Sequence, residues 1–383
     1  MASETQDPKS AASQTFPHAM LREIYEQPRA IRETIARNTS GDAIFPSALE
    51  PIEHALASLK KIIIAASGSS RHAGLAGEIV IEDLAQVPVD VEYSSEYCYR
   101  STHAGTDPVV LVITQSGETA DTIAAQREAL LRGAKTVAIS NVAGSTIARE
   151  ASAALQTHAG PEKAVPATKS FTSQLALLYL FALYLARKRG RITEEAAHKY
   201  LLCLAAIPEA IEKSLGVWDA QAAQFAQELR TAKAFLFLGR GVHYAIAREG
   251  ALKLKEVSYV QAEGIPAGEL RHGPNALVGE QLCVVILATR DANDPDSLLR
   301  YQKTGAILEY VRSHGAKSVV IATEGDREIT ALSPRVIFVP PAPELLLPIL
   351  EVVPLQLFGY HFAVLNGSDV DNPRNLVKAV VTE

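Results

Sequence analysis

Two short stretches put small hydroxyl side chains where an anion could be held: Ser67-Gly68-Ser69-Ser70, directly after Ile64-Ala65-Ala66, and Thr114-Gln115-Ser116-Gly117-Glu118-Thr119, directly after Val112-Ile113. A helix starting in such a stretch offers unpaired N–H groups and the positive end of its dipole, and neighbouring hydroxyls add neutral donors. The same residue types serve as ordinary N-caps, so capping and anion binding both stay open. No GxxxxGK[ST] lysine accompanies either stretch, which argues against a nucleotide P-loop and leaves room for a sugar phosphate. Gly239-Arg240-Gly241 opens a similar turn later in the chain but lacks the GxGxxG dinucleotide pattern.

Further along, Glu249, Lys253 and Glu256 fall four and three residues apart in a helical run and share one face. Such a trio reads either as a solvated, salt-bridged surface or as a carboxylate held beside a lysine for proton transfer. His272, in Gly268-Glu269-Leu270-Arg271-His272-Gly273-Pro274, has a side chain suited to acid–base work. It has no second histidine at metal-ligand spacing, so a structural role stays open for it. Lys378 lies five residues from the end, where fraying is the default.

The elements that must position these residues follow from the pattern of apolar runs. Strand-like segments at Ile62 to Ala65, Val89 to Tyr93, Val109 to Thr114 and Thr136 to Ile139 alternate with helical segments, after a helix from Phe16 to Arg37 and a proline-containing linker from Ser40 to Pro51. A helical stretch from Lys169 to Leu215 follows. The alternation restarts at Ala234 to Leu238, Cys283 to Ala288, Ser318 to Ile321 and Val336 to Val339, and a helix near Leu345 to Leu365 closes it. Short strands each followed by a helix are crossover units around a parallel sheet covered on both faces. The expected fold is therefore α/β, two doubly wound parallel-sheet domains of three α/β/α layers, flavodoxin-like, with ligands beyond the carboxyl ends of the strands. The expected divisions are a disordered tail over 1–19, a first domain with its N-terminal helix over 20–215, and a second domain with a C-terminal tail over 216–383.

Composition narrows the function classes. The 383 residues carry a formal charge of -6, without a basic cluster, which argues against a nucleic-acid surface. Cys98, Cys203 and Cys283 show neither zinc spacing nor a disulfide framework and read as buried free thiols. The first residues lack the apolar core of a secretory signal. The run Leu175 to Ala186 is too short to span a bilayer, and prolines and glutamates interrupt Val336 to Leu365, so no membrane insertion is expected.

Taken together, these residues resemble the isomerase part of glucosamine-6-phosphate synthase, the glutamine-fructose-6-phosphate aminotransferase family, built from two sugar isomerase (SIS) domains. The resemblance runs from about Met20 to Glu383. It rests on Glu23-Ile24-Tyr25-Glu26-Gln27-Pro28, Gln115-Ser116-Gly117-Glu118-Thr119-Ala120-Asp121-Thr122, Glu249 to Glu256, Ala267 to Pro274, and Asp369-Val370-Asp371 with Pro373-Arg374-Asn375-Leu376. It implies a phosphate site at Ser70, Thr114, Gln115, Ser116 and Thr119, with Thr114 replacing a serine. It implies Glu256 as the base moving a proton between C1 and C2, Lys253 as its support, His272 as the ring-opening group reaching a neighbouring subunit, and Lys378 as the Schiff-base lysine. Val165 and Ala167 stand at sugar-contact positions, Ala167 replacing the usual serine.

The synthase's N-terminal glutaminase domain, with its terminal cysteine, has no counterpart in this sequence, and the segment Gly160 to Ser170 is similar to stand-alone relatives such as the SIS-type glucosamine-6-phosphate deaminases. The resemblance thus implies a cytoplasmic, cofactor-free and metal-free homodimer. The expected reaction turns glucosamine 6-phosphate into fructose 6-phosphate and ammonia. A phosphosugar isomerase, an amination enzyme fed by free or partner-supplied ammonia, and a non-catalytic sugar-phosphate sensor are the competing expectations. No nucleic-acid or membrane partner is expected.

Overall fold

The computed structural model describes residues 15–45, 47–100 and 109–382. Most of the expected tail, 1–14, lies outside the described residues. The chain opens with α1 (Ala19–Tyr25) and α2 (Gln27–Asn38), which divide the single helix expected from Phe16 to Arg37; Pro28 stands in the first turn of α2, where its missing N–H costs nothing. The expected linker contains a small antiparallel hairpin, β1 (Thr39–Ser40) and β2 (Ala43–Ile44), followed by α3 (Glu53–Ala57).

The first sheet is then laid down by β3 (Ile62–Ala66), α4 (Gly68–Ala85), β4 (Val89–Tyr93), α5 (Ser94–Tyr97), β5 (Val109–Ile113), α6 (Ala120–Leu131), β6 (Lys135–Ser140), α7 (Thr146–Glu150) and β7 (Ala153–Gln156). Helices α8 (Lys169–Lys188) and α9 (Glu194–Glu228) replace the one stretch expected from Lys169 to Leu215, and α9 runs through the expected division at 215/216. The second sheet comes from β8 (Ala234–Gly239), α10 (Val242–Ser258), β9 (Gln261–Pro266), β10 (Leu282–Ala288), α11 (Pro295–Ser313), β11 (Lys317–Thr323), α12 (Arg327–Leu332), β12 (Val336–Val339) and α13 (Leu347–Leu365).

Both five-stranded sheets are parallel, ordered β4-β3-β5-β6-β7 and β12-β11-β10-β8-β9. Each begins in its interior, steps once to one side and then winds out the other way, which is the flavodoxin-like order. The switch points therefore lie between β3 and β5 and between β8 and β10. The sequence pattern left β7 and β9 unseen. Both are edge strands, and β9 (QAEGIP) carries a glutamate, a glycine and a proline that only an edge tolerates.

The period-2 alternation of each strand assigns its side chains to different cores. Ile62, Ile64 and Ala66 join a large cluster shared by both halves, whereas Ile63 and Ala65 face a smaller outer one. Phe235 and Phe237 point into the shared core, and Leu236 and Leu238 into the outer core of the second sheet. Between the sheets, α4 packs on α8 and α10, and α13 packs on α9 and α10. Helix α13 belongs to a segment, Glu344–Leu365, long and apolar enough to cross a bilayer, yet 89% of its most apolar window is buried inside the protein. The thiols form no disulfide; Cys283 is buried, which pushes it up to about 12, while Cys98 and Cys203 are only half-buried rather than buried as expected.

Candidate active site

At the first switch point, the hydroxyl-rich turns lead into α4 and α6. The residues at the cap positions, Ser67 and Thr119, make no side-chain cap bond, so plain capping is not what those hydroxyls do. Thr119 Oγ1 instead lies 2.8 Å from Thr114 Oγ1. The Gly117 N–H donates to Thr114 Oγ1 over 3.4 Å and the Glu118 N–H to Ser116 Oγ over 3.1 Å, which folds the turn back on itself. Gly117 sits at φ +71°, and a Cβ there would come within 2.0 Å of Ser145 Oγ, so only glycine fits. In the other turn, Ser70 Oγ accepts from Gln174 Nε2 (3.0 Å). Thr114 is buried, and Ser70, Gln115, Ser116 and Thr119 are partly exposed, as a cradle for a ligand's anionic end requires.

Helix α10 brings its charged trio against this cradle. Glu249 and Lys253 are fully buried, so the reading of that face as solvated is overturned: the face packs on α4 in the seam between the halves. The Lys253 ammonium pairs with Glu256 and lies 3.4 Å from Glu249 Oε1. Glu249 in turn accepts from Ser69 Oγ (2.8 Å) and contacts His72 Nδ1 (2.8 Å), both near the start of α4. Burial pushes the Glu249 carboxyl up, but the Lys253 charge and the His72 contact outweigh it and hold it below its ordinary value. Glu256 is the more accessible acid, its side chain 14% exposed. Burial raises Glu256 above the usual carboxylate range, against the pull of Lys253. A carboxyl with a raised pKa beside a lysine is suited to taking and returning a proton near neutral pH.

The C-terminal tail is ordered rather than frayed, because its backbone is used. The Ala120 N–H, at the start of α6, donates to Val380 O (3.0 Å), and the Val165 N–H donates to Asp371 O (2.9 Å). Between these ties Lys378 Nζ donates to Glu162 Oε2 (2.6 Å) and to Ala164 O (2.7 Å). Glu162 also accepts from the Thr168 N–H (3.0 Å), the Ser170 N–H (3.0 Å) and Ser170 Oγ (2.7 Å). Burial opposes its charge, yet Lys378 and these donors hold it below the ordinary range. Both partners of Lys378 are hydrogen-bond acceptors. Val165 and Ala167 are half-buried in the same loop, which is anchored where Glu23 accepts from the N–H groups of Lys163 (2.6 Å) and Ala164 (3.2 Å).

Three distant stretches therefore meet. The Lys378 charge acts on Glu256, and the Glu162 charge acts on Lys253. His272 does not join them within this chain: it is exposed at the end of the 3₁₀ turn Ala267–Arg271, and among the described residues no hydrogen bond or ion pair links it to Glu256, Lys253 or Lys378. Sequence reasoning missed Glu162, His72 and Ser69, each of which becomes legible only when a partner about 180 or more residues away is placed against it. Among the described residues no group of three or more His, Cys, Asp or Glu is placed to hold a metal. A cavity of about 450 Å³ beside the hairpin, lined by Phe45, Glu53, Tyr184 and Arg187 among others, contains none of the site residues.

The SIS domain family profile matches residues 55–184 and 228–366, one segment in each half. The chain belongs to the SIS domain family. The chain is 44% identical over 370 residues to the glutamine–fructose-6-phosphate aminotransferase [isomerizing] of Chlorobaculum tepidum, a match covering 96% of this chain and 59% of that protein. A Thermus thermophilus protein of the same name is 43% identical over 371 residues, again 96% of this chain and 59% of the relative. The SIS chain thus spans about three-fifths of the length of these relatives. Among solved structures, the C-terminal domain of glucosamine-fructose-6-phosphate aminotransferase from Francisella tularensis superposes with a TM-score of 0.87 at 35% identity, covering 93% of this chain and 99% of that one. A glucosamine-6-phosphate deaminase from Thermotoga maritima shares the fold, with a TM-score of 0.70 at 21% identity, covering 95% of this chain and 99% of that one. The SIS chain is therefore homologous to the isomerase domain of the aminotransferases.

Proposed function

We propose that this protein is an amino-sugar phosphate isomerase/deaminase that converts glucosamine 6-phosphate to fructose 6-phosphate and ammonia. The observation that carries the reading is the docking of the tail, Lys378 on Glu162 and Ala164 and Val380 on the start of α6 by the hydroxyl cradle, with the Lys378 charge acting on Glu256. In this reading Ser70, Thr114, Gln115, Ser116 and Thr119 hold the 6-phosphate through neutral donors and the α4 and α6 termini. His272, supplied by a second copy of the chain, moves the proton that opens the ring. Glu256 takes the C2 proton and returns it to C1, turning the aldose amine into the ketose imine. The neutral Lys378 amine, its proton released to solvent, adds to C2; ammonia departs, and water hydrolyses the lysine imine to the ketone. No cofactor enters the scheme.

A second reading, amination of fructose 6-phosphate with ammonia from another source, is favoured by the names of the relatives at 44% and 43% identity. The same residues would run the steps in reverse. The test is a panel of hexosamine and ketohexose 6-phosphates with and without ammonium, assayed for ammonia and for C2 proton exchange. Ammonia from glucosamine 6-phosphate is the expected result; ketose–aldose exchange without ammonia would leave an isomerase, and no turnover of any member would leave a sensor.

A further inference from the structure

His72 has no part in the scheme above, yet it is buried and committed. Its Nδ1 lies 2.8 Å from Glu249 Oε2, across the seam between α4 and α10, with Ser69 Oγ on the other carboxylate oxygen at 2.8 Å. With both oxygens held from α4, the Glu249 carboxylate stays 3.4 Å from Lys253 Nζ, which keeps the closer contact with Glu256. Ser69 and His72 flank Ser70, so the turn that carries the phosphate cradle also steers the acid–base helix. We propose that His72 is a positioning residue that, through Glu249, keeps Lys253 on Glu256 and so sets the protonation of the proton-transfer base. This rests on Glu256 being that base. The charged groups acting on Glu256 are Lys253 and Glu249 of its own helix and Lys378 of the tail; Lys253 in turn feels Glu162 of the loop before α8.

The sign follows from the geometry. Without the His72 contact, the freed Glu249 oxygen competes for Lys253 and draws it from Glu256, which loses its nearest cation and holds its proton to higher pH. The experiment compares the full-length protein with His72→Ala, His72→Asn, whose side-chain amide can reach the same oxygen, and Ser69→Ala. The readouts are kcat, KM and the pH profile of C2 proton exchange, together with a ¹³C-carboxyl titration assigned through Glu256→Gln. The expected result for His72→Ala is a kcat lower by about 10- to 100-fold with KM nearly unchanged, the scale of losing a supporting hydrogen bond, and a Glu256 midpoint raised by about one unit. His72→Asn should restore most of both. An unmoved Glu256 midpoint in His72→Ala and Ser69→Ala overturns the proposal whatever the substrate proves to be, whereas a parent protein that exchanges no C2 proton overturns the functional reading alone. Should His72→Ala fail to fold, Ser69→Ala and His72→Asn decide the outcome by the same titration.

Discussion

Lys378 Nζ donates to Glu162 Oε2 at 2.6 Å, a contact between residues 216 positions apart that fixes the last turn of the chain against the first sheet. The lysine and its carboxylate partner are thus installed together, with Glu256 in electrostatic reach.

If Lys378 is the Schiff-base lysine, Lys378→Ala should abolish ammonia release by at least about 10³-fold while C2 proton exchange by Glu256 continues. Comparable losses in both steps, followed by ammonia assay and by deuterium exchange, would rule that role out. Glu162→Gln should slow ammonia release by up to about 100-fold, since Lys378 loses the charged contact that positions it.

Glu256→Gln should suppress C2 deuterium incorporation by about 10² to 10⁴-fold with substrate affinity retained, because only the proton acceptor is lost. An exchange rate near the parent's would move the base elsewhere.

The cradle makes a binding prediction. Thr114→Val removes a buried hydroxyl paired with Thr119 and should raise KM for the phosphorylated sugar about tenfold with a smaller change in kcat. Gly117→Ala is more severe: its Cβ would collide with Ser145, and the positive φ disfavours a side chain, so a loss of roughly 2 kcal/mol or more in stability should accompany weaker binding. Thermal unfolding of the two variants separates the effects.

Beyond the carboxyl end of the second sheet, His243 is buried between Glu344 (3.1 Å) and Glu351 (2.7 Å). Burial opposes its charge, but the Glu351 and Glu344 carboxylates win and push it from 6.5 up to about 9. A raised pKa contributes stability that is complete below 6.5 and is lost as pH rises through about 9. Glu344 goes the other way: despite burial, His243 and Arg300 hold it at about 2, so its contribution is complete above 4.5 and disappears as pH falls toward 2. Melting temperature should therefore fall on both flanks, and His243→Gln should flatten the alkaline one. An unchanged alkaline flank in that variant would refute the assignment.

How much of this could be read beforehand depended on whether a signal was local. Strands such as Ile62–Ala66 and Val109–Ile113 announce themselves because burial on both faces demands an unbroken apolar run, while Gln261–Pro266, at an edge, needs none. The trio on α10 was visible as one face, but its burial was not, since that depends on which helix lies opposite. Lys378 carries no local signal at all; its place came from resemblance, and the contacts that hold it belong to Glu162 and Ala164. Glu162 itself looked like any acid in a polar loop.

The single large cluster of apolar side chains that lines the inner faces of both sheets has one more effect. Helices of one half pack on helices of the other across it, α4 on α10 and α9 on α13, so a fragment cut at the 229–233 connection would present those apolar helix faces to water. Such fragments should clump when made separately and regain solubility when made together, which ties the inheritance of the two halves to one another.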